Sequence, residues 1–488
     1  MSAPVPLGSL TQVAVCAALT ILIGVATWAK VRGTGGSDGS SKDVFLAGGG
    51  LSWVFVAGSI TLTNLSTDQL VGMNGNQMLL LAWWEISGFI GLLVLAFVFV
   101  PIYYRQNCTT VTELLERRYG GRSIRTLISA LFLFGNILIY LPAGLYSGGL
   151  FLQSLFGPQL PLLFFAGLLA VIAAAYTILG GLRAVAVMDT YAGIGVLAIA
   201  LLVVVLALAA VNFDIVTGVP PERLSMFGGA DSPIPFHTLF TGMIFIQIFY
   251  WSTNQNITQK AMTAPTIREA QKGVLAAAAI RILIIPVIVT VPGVVAYKLL
   301  GDVGDRAYGL LVAQVLPSWL SGAFAAMIGA AVIAHTSAVL NSTVALYTVD
   351  FHDQYINAGA DQRRVSRIAS VLLTVSSVAL VPLYANAASI INLLQQLNGL
   401  SSMPILSAFI TGLLFRGVAP GAAIAGVVWG VVLYGLFTFV LQPQQWLTMH
   451  YIDFMVVTLL TSVAVSLASN RFVLGNRARF LWQRAEAA

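Results

Sequence analysis

Residues Leu51–Gly75 read LSWVFVAGSITLTNLSTDQLVGMNG. The stretch is long enough to cross a bilayer, yet its second half carries Thr61, Thr63, Asn64, Ser66, Thr67, Asp68 and Gln69. Hydrocarbon offers no water to pair with such groups, so they are tolerated only against protein or a cavity. An unbroken helix would account for the hydroxyls, because Ser and Thr bond back to carbonyls four residues earlier. It leaves Asn64, Asp68 and Gln69, clustered within six residues, unexplained. The pattern predicts a helix interrupted at mid-membrane, whose freed carbonyls and polar side chains hold an ion and a solute.

The rest of the chain sets this segment in a membrane. Of 488 residues, 58% are hydrophobic and only 9% charged, with a mean hydropathy of +0.89. That composition belongs to an all-α polytopic membrane protein, and the alternation of a transmembrane barrel is absent. Apolar windows near 8–29, 51–74, 79–104, 124–155, 160–180, 186–211, 237–258, 273–299, 316–349, 366–384, 388–414, 419–441 and 449–469 predict about thirteen transmembrane helices. With the N-terminus outside and the C-terminus cytoplasmic, all but four of the 24 Lys and Arg fall on inner loops or the C-terminal tail. The exceptions are Arg223, Lys298 and Arg306 in outer loops and Arg281 inside a span. The net charge of +6 is thus a signature of topology and asks for no nucleic acid. Lys30, the first positive charge, follows the first apolar run, which reads as a retained helix and not a cleaved signal. Cys16 lies in that helix and Cys108 in an inner loop, so neither a disulfide nor a cysteine metal site is expected.

Along the chain, 1–50 reads as an extra helix followed by a Gly- and Ser-rich linker. Arg105–Arg125 reads as a short amphipathic cytoplasmic segment, and Leu179–Asp189 as a Gly-Gly turn between two spans. The Pro-rich 213–236 is the longest outer loop and a lid over the bundle. Phe236–Gln259, containing QIFYWSTNQNITQ, is a second span that turns polar halfway along. It opens the sixth core span as Leu51–Gly75 opens the first. Two broken helices five spans apart predict a five-plus-five inverted repeat, with copies at 51–212 and 237–415 and two C-terminal helices with a tail at 416–488.

Ionisable groups inside spans are few, and each is a functional candidate. They are Asp68, Glu85, Asp189, Arg281 and His335. Glu85 and Arg281 are the opposite charges deep in the body and are expected to pair. Alone, that pair reads equally as structural or functional. The company of Gln69, Gln247, Tyr250, Gln395 and Asn398 at mid-span favours function. These groups suit a neutral, polyhydroxylated solute, and Tyr250 offers an aromatic face as well. His335 shares a helix face with Ala331, Ala334, Ala338, Asn341 and Ser342. Both a neutral, hydrogen-bonded histidine and a proton carrier fit there. Neither a nucleotide loop, a nucleophile–base pair nor a metal-ligand cluster is visible, so no enzymatic step and no cofactor is expected.

FLAGGGLSW, TNLSTDQLVGMNG, WWEIS, IYYRQNCTTVTELLERRYGGR, LYSGGLFLQ, LGGLRAVAVMD, YWSTNQNITQKAMTA, EAQKG, LNSTVALYTVDFHDQYI and QQLNGLSSMPILSAFITGLLF keep the order and spacing of a known family. Over about 40–415 the chain resembles the solute:sodium symporters, most closely the sodium–glucose/galactose branch. The resemblance implies the five-plus-five fold reached above. It places a sugar site on Gln69, Glu85, Gln247, Tyr250, Arg281 and Gln395, and gates on Met73, Trp84, Tyr250 and Ile391. Arg281 stands where the branch has lysine, Gln247 where it has asparagine, and Gly88 where it has a sugar-contacting serine. The implied sodium site takes carbonyls of Leu62, Leu65 and Ala331 and two hydroxyls that fall here on Ala334 and His335, with Asp189 on the ion's inner route. Alanine supplies no side-chain oxygen, and imidazole is a poor ligand for a hard cation. A proton on His335, or uncoupled transport, is therefore expected in place of ordinary sodium coupling.

Together these readings describe a secondary active transporter of a neutral monosaccharide or similar polyol in a bacterial inner (plasma) membrane. It works by alternating access, with a sugar-like small molecule and membrane lipid as its partners. The rivals are a symporter for an organic anion such as a sialic acid, which would use Arg281, and a solute sensor that does not transport. The oligomeric state is not readable from the sequence.

Overall fold

The computed structural model describes residues 10–32, 49–65, 67–157, 159–357, 359–385 and 389–481. Most of the linker expected in 31–50, and Ser66 at the first break, lie outside them. The architecture is all-helical. Among the described residues the exception is a two-residue antiparallel pairing of Phe415–Arg416 with Arg479–Phe480.

The helices follow one another as α1 (Leu10–Arg32), α2 (Trp53–Asn64), α3 (Thr67–Gly75), α4 (Leu79–Gln106), α5 (Val111–Tyr119), α6 (Arg122–Phe156) and α7 (Leu162–Ala210). The second half holds α8 (Gly242–Ile248), α9 (Gln255–Ala261), α10 (Ile267–Leu300), α11 (Ala307–Val315), α12 (Ser318–Ile356), α13 (Gln362–Tyr384), α14 (Ile390–Leu414), α15 (Pro420–Leu441) and α16 (Tyr451–Val473). Ten described helices are long and apolar enough to cross a membrane, against the thirteen expected. The difference lies in the two interrupted segments, α2–α3 and α8–α9, and in α7, one continuous backbone helix over the two spans expected at 160–180 and 186–211.

Both expected interruptions are present. At the first, α2 stops at Asn64 and Leu65 leaves the helical region with ψ 57°. At the second, α8 loosens into a π turn over Phe249–Thr253, and Asn254 is extended with ψ 124°. The Asn254 side chain then caps α9 by accepting from the Asn256 amide at 3.0 Å. In the bilayer such breaks are stable only where other protein satisfies the backbone.

The Gly-Gly turn expected at Leu179–Asp189 is not formed. The backbone is helical throughout α7, and the side chains of Arg183 and Asp189 are outside the described ones. Each glycine costs a helix only about 1 kcal/mol relative to alanine. Here no proline and no capping Ser, Thr, Asp or Asn follows to stop it before Asp189, so the good helix formers of LRAVAVM carry the helix through.

The arginine-rich face is held by a buried ionic cluster that joins α5, α6 and α12. The Thr110–Glu113 capping box starts α5, with Glu113 Oε2 accepting from the Thr109 amide at 2.6 Å. Arg125 pairs with Asp350 and Glu116, each at 2.5 Å, and Ser129 and Thr112 donate to the fully buried Asp350. On the same side the Val111 amide donates to Gln255 of α9 at 2.8 Å, and Asn256 bonds Asn136 of α6 at 3.2 Å and Ser342 of α12. The half of the second broken helix beyond its break is thereby fastened to the neighbouring helices.

The opposite face is fastened by other groups. Asn76 donates to Ser389 at 3.2 Å, and Asn392 donates to Asn76 at 3.4 Å. The 213–236 loop bonds to this face. Trp83 Nε1 donates to the Met226 carbonyl at 2.8 Å, and Arg223 pairs with Asp302 at 2.9 Å and donates to the Asn76 carbonyl.

Candidate functional site

Between the two breaks lies a small cavity of about 60 Å³, room for a couple of water molecules. Polar wall groups are Asn64, Asp68, Gln69, Tyr140, Gln247, Tyr250, Arg281, His335, Gln395 and Asn398. Trp84, Trp251, Ile246, Ile391 and Leu394 supply apolar area. Five of the six expected substrate residues are on this wall. The sixth, Glu85, stands behind it.

Glu85 is fully buried and pairs with Arg281, which is 3% exposed. The guanidinium also stacks on Trp251, 4.3 Å from the ring centroid. Asn64 ties the remaining groups together. With its amide oriented to satisfy its neighbours, its nitrogen donates to Tyr250 Oη at 2.8 Å, and its oxygen accepts from Gln69 at 2.7 Å and Arg281 at 2.6 Å. Gln247 is committed to protein: it donates to the Trp84 carbonyl and to Ser87 Oγ, both at 2.8 Å, and accepts from Trp251 Nε1 at 3.0 Å. Tyr140 donates to Asn398 at 2.6 Å and closes the wall on the α6 side. Of the expected gates, Met73, Trp84 and Ile391 are buried, whereas Tyr250 keeps partial exposure, as does the substrate candidate Gln395.

Gly88 explains how an arginine fits where lysine was the expected type. A β-carbon built there would lie 3.0 Å from both Arg281 Nε and Trp251 Nε1, tighter than ordinary contact. Gly88→Ser should therefore push the guanidinium off Trp251, an overpacking cost of about 1–3 kcal/mol. Substrate affinity is expected to fall by roughly ten- to a hundredfold, and the Gly88→Ser, Arg281→Lys double variant to recover part of it. Competition binding on the three proteins measures this, and equal affinities would remove Gly88 from the site.

His335 is also on the cavity wall, on α12, and is buried at 5% exposure. Gly144 of α6 makes room for it: a β-carbon there would lie 3.1 Å from His335 Cδ2. Ala331, Ala334 and Leu65 are fully buried, and α12 packs against α2, which carries Leu62. The two positions where the resemblance puts the sodium-binding hydroxyls, Ala334 and His335, thus carry none. Three other hydroxyls, on Thr61, Thr67 and Thr336, are buried without a hydrogen-bond partner.

Asp305, in the turn Gly304–Arg306, accepts from the Ile390 amide at 3.0 Å and so holds the first residue of α14. Burial pushes its carboxyl up to about 6. A pKa raised in the fastened arrangement means the proton binds this arrangement more tightly than one with Asp305 in water. Fastening is then favoured by acid, and that advantage is lost as pH rises from about 4, the ordinary carboxylate value, through about 6. Spin labels at the exposed positions Phe227 and Ala385 should report a larger short-distance population at pH 5 than at pH 7.5. Asp305→Asn should abolish the difference; a difference that persists in this variant assigns it to another group.

A long apolar helix bundle with two broken helices around a polar, buried cavity defines a membrane carrier and not an enzyme. The comparisons agree. The profile of the sodium:solute symporter family matches residues 44–430, and the chain belongs to that family. It is 34% identical over 472 residues to an uncharacterized symporter, YidK, of Escherichia coli, covering 92% of this chain and 81% of that one. It is 29% identical over 488 residues to a sodium/glucose cotransporter of Vibrio parahaemolyticus, covering 92% and 87%. A sodium/myo-inositol cotransporter 2 of Mus musculus is 27% identical, covering 91% and 75%. Among solved structures, a substrate-bound, outward-open sodium-coupled sialic acid symporter superposes with a TM-score of 0.81 at 17% identity, over 97% of this chain and 100% of that one. That likeness establishes the inverted-repeat fold.

Proposed function

We propose that this symporter carries a neutral monosaccharide or related polyol across the plasma membrane by alternating access, with the arginine-rich face cytoplasmic. The observation that carries this reading is the placement of charge. Arg281 reaches the wall already neutralised by Glu85 behind it, and the other cation-capable group is His335, while Asp68 adds a carboxylate. Such a wall disfavours an anionic solute and suits hydroxyls, which both donate and accept. Gln69, Tyr250, Arg281 and Gln395 contact the solute; Gln247 shapes the wall, and Glu85 holds Arg281. Met73, Trp84 and Ile391 form the gate on one side and Tyr250 on the other. The glucose and myo-inositol cotransporters among the relatives support the same substrate class.

The cavity as it stands is too small for a sugar. Loading requires one of the two fastened faces to open, which is what alternating access supplies. For coupling, we infer that a proton on His335 takes the place of sodium's charge, with Asp189 on the inner route. Removing two oxygens from a five-oxygen cation site leaves dehydration poorly offset. The hydroxyls of Thr61, Thr67 and Thr336 favour a second reading, in which sodium is kept on a rearranged set of oxygens.

Proteoliposomes under separate sodium and proton gradients test all of this. Uptake of labelled galactose, glucose or myo-inositol that accumulates against its gradient supports a coupled carrier. Saturable binding of these solutes without any flux would make the protein a sensor instead.

A further inference from the structure

Away from the solute cavity, a groove of about 340 Å³ opens between α6, α12 and α13. Its floor is apolar, with Leu133 and Ile137 from α6 and Ala369 and Leu373 from α13, and it ends against Tyr347 and His352 of α12. Along α13 the lining runs from Val365 to Leu373, about 12 Å at 1.5 Å per residue. That is close to the depth of one leaflet's hydrocarbon, roughly 15 Å. The outer rim of α13 is exposed to the bilayer: Ile368 is 55% and Leu372 65% exposed.

The groove's polar end is positively charged. Arg363, Arg364 and Arg367 occupy the first two turns of α13 and are all exposed. Two carboxylates lie nearby, Asp361 accepting from the Arg363 amide at 2.9 Å and Asp353 accepting from Gln362 at 2.7 Å, so the three arginines leave this end net positive. His352 Nδ1, at the same end, makes no hydrogen bond and lies 3.9 Å from Asp353 Oδ1. An apolar slot one leaflet deep, topped by arginines and a partly buried imidazole, matches a lipid with a negative headgroup.

We propose that this groove binds one acyl chain of an anionic phospholipid, with its phosphate at Arg364 and Arg367 and an ester or phosphate oxygen within reach of His352. Arg364 flanks Ile368 one helical turn away, which brings headgroup and chain sites together on one edge of α13. The site is independent of the solute cavity and of the coupling ion.

Native mass spectrometry of the purified full-length protein, titrated with phosphatidylglycerol or phosphatidylcholine, tests the proposal. Wild type should retain a single phosphatidylglycerol at roughly tenfold lower concentration than phosphatidylcholine. The Arg364→Ala, Arg367→Ala variant should retain both lipids equally. Leu372→Trp, a change at an exposed position that leaves the core untouched, should block the groove and lose the single adduct for both. Glycerol phosphate in excess should not displace the lipid, because the chain supplies much of the binding; displacement would reduce the site to a phosphate site. Equal retention of the two lipids by wild type, or an adduct unchanged in both variants, would show ordinary annular lipid and overturn the proposal.

Discussion

Glu85→Ala is expected to destabilise the protein by about 3–5 kcal/mol, because it strands the Arg281 charge in a desolvated interior. The buried partner has nowhere else to turn. Its neighbours are Trp251, whose face it already uses, and the Asn64 oxygen, which it shares with Gln69. Thermal unfolding in nanodiscs reads this loss. Glu85→Gln separates folding from function, since it keeps the shape and can still accept one hydrogen bond. Its folding defect should be milder, yet Arg281 then presents a net positive charge to the cavity. Neutral-sugar binding should fall at least a hundredfold. Wild-type affinity in Glu85→Gln would remove the pair from the substrate site.

The second large effect concerns coupling. His335→Ala should leave uptake that no longer responds to an imposed proton gradient, because it removes the imidazole from the cavity wall; any pH dependence that remains should be that of Asp305 and vanish with Asp305→Asn. The Ala334→Ser, His335→Ser double variant restores two oxygens at the positions the resemblance assigns to sodium ligands. It should gain sodium-stimulated uptake at millimolar sodium. Sodium-driven uptake by the unmodified protein, indifferent to a proton gradient, would contradict the His335 reading. It would shift attention to Thr61, Thr67 and Thr336, whose triple alanine variant should then lose that uptake.

Much of the fold was legible because the membrane leaves few options for polar groups. TNLSTDQ and YWSTNQN, set in otherwise apolar spans, signal breaks, and both helices break there. The Glu85–Arg281 pair followed from the same rule, since a lone arginine deep in a span calls for a carboxylate and Glu85 is the acid set in an otherwise apolar stretch. The Gly-Gly turn at Leu179–Asp189 was misread because glycine permits a turn without requiring one. Tyr140 gave no signal: in NILIYLPAG it sits among apolar neighbours, and its place on the wall depends on how α6 packs against Asn398. Asn64 was visible as a polar residue, but its position as the hub between Gln69, Arg281 and Tyr250 needs three helices in space. Asp350 likewise looks like an ordinary inner-end acid until Arg125, Thr112 and Ser129 are folded around it. Gly88 is the instructive case. It first reads as the loss of a serine, and only the structure shows it as the space that an arginine needs.

The most direct test of the substrate site compares solutes by charge. Purified protein in nanodiscs should be titrated with galactose, glucose, myo-inositol and a sialic acid, following the fluorescence of Trp84 and Trp251 beside the cavity. At least one neutral polyol is expected to give a saturable change that Glu85→Gln abolishes, while the sialic acid gives none. Saturation by the sialic acid alone, lost in Arg281→Ala, would contradict a neutral-polyol site.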